Sequence, residues 1–255
     1  MKRWLALLLI TSCSPAQTPV GDSRREEPRP APVEAPRVAS DEPSVEQLER
    51  RHRSFARLHE EGVPYIAHLP VVEREAELRF RTRDEIVDRA VALFVVASRG
   101  ARDPADYVAE MEARYDATRL YTPVERAYMS GPAETAQGTA LSWRFEALRV
   151  LLWALGYIDD LPKPIAPMDG VEIARVVRPR TVEELREGAQ LRSHAAILDA
   201  ADLIYRYAWA CVDARIQGRP APAGLDTDVV IEWHHAINWL IALDDAEWDY
   251  VRTDT

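Results

Sequence analysis

Three observations make this an all-α chain, with a single irregular multi-helix bundle as its domain. Apolar residues recur at the 3.6-residue spacing of a helix in several long runs. Two capping-box patterns, Thr82-x-x-Glu85 and Thr181-x-x-Glu184, stand ahead of such runs. No segment alternates over strand lengths, and no Gly-rich phosphate loop is present. The bundle is expected over residues 45–255, about 210 residues, enough to bury a sizeable core.

Two segments of different character precede it. Residues 1–12 read as a signal peptide, in which Lys2 and Arg3 lead an apolar run from Trp4 to Ile10. That run is far below the ~20 residues needed to span a bilayer. It ends in Ile10-Thr11-Ser12-Cys13, which resembles the lipobox of bacterial lipoprotein signals. The resemblance implies acylation of Cys13 and a membrane partner reached through that N-terminal lipid anchor. Ser14 rather than Asp after the cysteine implies the periplasmic face of the outer membrane as the address. Residues 13–44 are expected to be a disordered tether. Pro15, Pro19, Pro28, Pro30, Pro32, Pro36 and Pro43 interrupt a polar stretch too poor in large apolar residues to offset the entropy of ordering. In polyproline geometry it reaches on the order of 90 Å.

Within the domain, Val45, Leu48, Phe55 and Leu58 predict a first helix that stops at Gly62. The charged stretch 71–81 predicts a short strand or turn. Thr82 opens a helix through Ile86, Leu93 and Ala97 to Gly100, and Asp103-Pro104 opens another with Pro at its first position. Thr122-Pro123-x-Glu125 opens a short one. The stretch 141–156, LSWRFEALRVLLWALG, is apolar almost all round apart from a seam of Ser142, Glu146 and Arg149, and so predicts a central helix stopped by Gly156. The basic run from Arg175 to Arg180 reads as a solvated loop. Leu191 to Ile216 is the longest predicted helix. Arg192, Asp199, Asp202, Arg206 and Asp213 fall within ~80° of one another on it. Asp226 or Thr227 caps a last helix, DVVIEWHHAINWLIAL.

A net charge of −10 argues against a nucleic-acid partner, which needs a basic face to displace phosphate counterions. The two cysteines lie in unlike contexts and make neither a disulfide framework nor a zinc spacing.

From about Arg53 to Thr255 the chain resembles the bacterial domain of unknown function numbered 4272. The stretches that carry this are GVPYIAHLPVVEREAELRFRT, SWRFEALRVLLWALG, LRSHAAILDAADLIYRYAWACVDAR, HHAINWL and the closing WDYVRTDT. The family pattern has Glu before Ile-Leu-Asp, where this chain has Ala196. It has Glu-Arg-His-His, where this chain reads Glu232-Trp233-His234-His235. A Glu and an Arg at those places could pair across two helices. Here Trp233 is expected to pack over Ala196 and fill that space.

Asp199, Asp202, Arg206, Glu232, His234, His235 and Asn238 form the candidate polar cluster, expected between the last two helices. Glu232-x-x-His235 has the i,i+3 spacing of di-metal carboxylate bundles, and so does Glu49-x-x-His52. With six histidines among so many glutamates such matches arise by chance, so no metal and no cofactor is implied. Ser142, Ser193 and Cys211 lack a nucleophile-elbow context. The expected function is therefore a lipid-anchored, non-catalytic binding or interaction module with an unidentified protein or small-molecule partner. The alternative is an enzyme or ligand-binding protein using the acidic and histidine cluster.

Overall fold

The computed structural model describes residues 42–132 and 136–255. Cys13, the signal segment and the tether as far as residue 41 lie outside the described residues. The described helices are α1 (Val45–Glu61), α2 (Arg83–Gly100), α3 (Ala105–Tyr115), α4 (Pro123–Ser130), α5 (Ala136–Ser142) and α6 (Arg144–Ala154), followed by α7 (Gly170–Val177), α8 (Val182–Gly188), α9 (His194–Ile216) and α10 (Thr227–Leu240). No strand occurs among the described residues, so the all-α expectation holds.

Local chemistry sets most of the helix ends. Thr82, Thr122 and Thr181 each form the reciprocal capping box, and Ser44 forms another with Gln47 ahead of α1. Asp226 caps α10 by accepting from the N–H groups of Asp228 and Val229. Gly62 and Gly156 take φ of 70° and 79°, the left-handed stops their positions require.

Other boundaries differ from expectation. Pro104 is the N-cap of α3 rather than its first residue, and α9 starts at His194 behind Ser193, whose hydroxyl accepts from Ala196 N–H. The basic run begins inside a helix, since Arg175 lies on α7. The stretch 71–81 is extended, with one 3-10 turn at Glu75–Glu77. The helix expected from Leu141 onward is two helices, α5 and α6, that meet at Trp143. The division falls where α5 leans on α2. A Cβ on Gly100 would stand 2.6 Å from Ser142 N and 2.7 Å from Gly138 O. Only glycine permits that approach of backbone to backbone.

α2 and α6 pack together at the centre, α10 lies against α6, and α9 lies against α10. α1 covers the outer side of α9, while α3, α5, α7 and α8 surround α2. Every residue of α2 from Ala90 to Ser98 is buried, so α2 shares the centre with α6. A smaller apolar cluster, with Leu58, Tyr207, Cys211 and Val230, joins α1 to α9 and the start of α10.

Candidate functional site

The charged stripe of α9 is built as a series of separate pairs. Asp202 and Arg206 are both wholly buried. Arg206 donates from Nε and Nη2 to the two carboxylate oxygens at 2.8 and 2.9 Å, a bidentate i,i+4 pair. Its guanidinium lies over the Phe55 ring of α1 at 4.9 Å, and its Nη1 has no partner. Asp199 faces α1 on the surface, where Arg53 donates to it at 3.1 and 2.6 Å. Arg192, expected on the same helix, lies ahead of α9 and binds the carbonyls of Trp153 and Ile158, each at 2.9 Å, where a cation suits the C-terminal end of α6.

The polar residues of α10 point in two directions. Glu232 accepts from Arg144 Nη1 at 2.9 and 3.2 Å, and burial raises its pKa against the pull of that cation. His235, beside it, lies 4.6 Å from the Trp248 ring. Burial first, then the neighbouring Arg144 and Arg89 cations, push it down to about 3, so the ring is neutral. On the other side, His234 and Asn238 line a small cavity of about 240 Å³ with Tyr205 of α9. Burial pushes His234 down to about 4. Of the seven candidate residues, His234 and Asn238 share this cavity and Asp202 pairs with Arg206, while Asp199 and Glu232 are held by other arginines, so the cluster does not converge.

Among the described residues, no group of three or more His, Cys, Asp or Glu is arranged to hold a metal ion. Glu49 and His52 are exposed on α1. Ser142 donates to Thr139 O at 2.7 Å and Ser193 is a helix cap. Cys211 is buried, and burial pushes its thiol up, away from the reactive thiolate.

A larger feature escapes the sequence reading. A cleft of about 710 Å³ opens between α2, α3, the junction of α5 and α6, and α7. Phe94, Tyr107, Trp143, Phe145 and Met168 supply its apolar wall. Its floor carries Glu146, which is 1 % exposed. Met168 N–H and the Trp233 indole N–H, the latter at 3.0 Å, donate to that carboxylate. Burial nevertheless raises its pKa. Ser98, wholly buried in the same wall, has a hydroxyl with no partner. Gly170 faces the edge of Phe145, which a Cβ would meet at 3.2 Å. The polar seam of the 141–156 stretch was a partial signal, since Ser142 and Glu146 both line the cleft.

The two departures, Ala196 and Trp233, border a common space. Both line a third cavity, of about 320 Å³, with Trp153 and Leu203. They do face one region, but the space is not filled. The Trp233 ring is held instead by Glu146 at its nitrogen and by the Arg149 guanidinium at 5.3 Å from its centre.

No curated protein and no solved structure matches the chain. One family model does, over residues 50–251, which is most of the sequence and nearly all of the helical domain. The chain belongs to the family described as domain of unknown function (DUF4272).

Proposed function

We propose that the chain is a lipid-anchored, non-catalytic binding protein of the bacterial cell envelope, with its ligand held in the aromatic cleft. The lipobox-like segment ending in Cys13 supports the anchor, and Ser14 supports the periplasmic face of the outer membrane. The cleft is the observation that carries the binding reading. Its volume, about 710 Å³, lies within the roughly 300–1,000 Å³ of small-molecule sites, and such sites are mostly apolar with a few placed polar groups. An unpartnered buried Ser98 hydroxyl in its wall is a group that a ligand atom could satisfy. Enzyme chemistry in the acidic and histidine cluster has less support. Asp199, Asp202 and Glu232 are each held by an arginine, and the two histidines face different ways.

Nile red, a neutral apolar dye, tests the cleft. Its fluorescence should rise with the parent chain and fall to the solvent level with Ala174→Trp, which fills the cleft from α7. An equal rise with a folded variant would place the dye elsewhere and remove the reading. The anchor has its own test in fractionation of Cys13→Ala. That variant should leave the membrane fraction, because two or three acyl chains on Cys13 would anchor the parent stably where a single chain anchors only marginally.

A further inference from the structure

We infer that the small cavity beside His234 is a separate binding site for a small organic ammonium ion. Its charged rim is mostly acidic. It sits at the C-terminal end of α10, where the helix carries partial negative charge. Glu73 and Asp244 stand exposed at its rim. Arg252, the cation in its wall, is already paired, donating from Nε to Asp254 at 2.9 Å.

Its interior offers acceptors and an aromatic face. Asn238 is 6 % exposed, and its Nδ2 donates to Arg252 O at 2.8 Å. That bond fixes the amide and leaves Oδ1 to accept from a ligand. His234 is 2 % exposed, lines the cavity, and has an Nδ1 without a partner. A buried polar atom left unpaired is costly, and native structures seldom keep one without a use. The Tyr205 ring, 5.9 Å from His234, adds a π face of the kind that attracts ammonium groups.

Size and ligand type narrow the occupant. About 240 Å³ is below the roughly 300 Å³ at which drug-sized sites begin, so it suits a cation of few heavy atoms. The carboxylates stand at the rim instead of converging. Among the described residues no metal-holding group exists, which favours a ligand bound through N–H donors and charge over a bare metal ion.

The test is calorimetric titration of the full chain with 1,4-butanediamine, 1,4-butanediol and calcium chloride. The diamine should bind with a Kd near or below about 1 mM, the diol should give no heat, and added salt should weaken binding. Glu73→Gln/Asp244→Asn changes two exposed residues, and Asn tolerates the positive φ of Asp244. This variant should bind the diamine about tenfold more weakly, by loss of two nearby charges. The imidazole resonances of His234 should shift on binding while those of exposed His52 stay. Equal binding of the diol, displacement of the diamine by equimolar calcium, an unchanged His234 or an absence of heat would each overturn the inference. None of these outcomes bears on dye binding in the aromatic cleft.

Discussion

Replacing Asp202 by Ala should be among the most damaging single changes in this domain. Both members of the Asp202–Arg206 pair are wholly buried, so the variant leaves a guanidinium in the interior with neither solvent nor a counter-charge. Arg206 also has an unpartnered Nη1 already, so the residual hydrogen bonding is thin. Breaking a buried pair from one side costs about 3–5 kcal/mol. Replacing both partners by apolar residues of similar size is often neutral, so Asp202→Leu/Arg206→Leu should recover most of the loss, a coupling that a double-mutant cycle measures. Asp199→Ala supplies the control. Its pair with Arg53 is 40 % and 54 % exposed, so it should cost under about 1 kcal/mol. Urea unfolding of these variants and of Asp202→Leu and Arg206→Leu alone, with the slope checked for constancy, reads every corner of the cycle and the control. An Asp202→Ala loss no larger than that of Asp199→Ala would refute the reasoning, as would a double variant no more stable than the singles.

Two further outcomes follow from the other polar groups. His234 and His235, held down to about 4 and about 3 in the folded chain, return to about 6.5 on unfolding. The unfolded chain therefore takes up the extra protons. Their contribution is complete above pH 6.5 and is lost as pH falls toward those folded values, at about 1.4 kcal/mol per pH unit for each ring. Glu146 and Glu232, raised by burial, act with the opposite sign at the acidic end, so the measurement is the change in slope between pH 7 and 5 on His235→Gln. An unchanged slope would contradict the buried neutral ring. For the departures from the family pattern, Ala196→Glu and Trp233→Arg should each destabilise. Together they should show about 1 kcal/mol or more of favourable coupling across the cavity that they share. Strict additivity in thermal melts would deny it.

How much of this could be read beforehand depended on the range of the physics involved. Capping boxes and glycine stops act within four residues, and Thr82, Thr181, Gly62 and Gly156 were legible for that reason. The 100° per residue of a helix also shows why α10 could not gather its polar groups. Glu232 and His235 lie about 60° apart, whereas His234 is about 160° from Glu232 and beside Asn238. Periodicity gives faces but not neighbours, so it could not say that Arg144 would claim Glu232 or that Arg53 would claim Asp199. The cleft was beyond reach because its walls come from five helices, and its aromatic lining residues read individually as core. α7 was missed because eight residues hold too few turns for a period to stand out.

The contact of α5 with α2 at Gly100 sets a limit on the width of the ligand proposed for the cleft. Ser142 and Trp143, at the junction of α5 and α6, form part of the cleft wall, and α5 rests on α2 with no side chain between the two backbones. Most pockets adjust their width by turning a side chain to another rotamer, a cheap and nearly continuous response. Here that cushion is missing at one side, and a wider ligand has to displace a helix. In a homologous series, affinity should rise with each added methylene and then drop abruptly at one length, a threshold fixed by main-chain geometry.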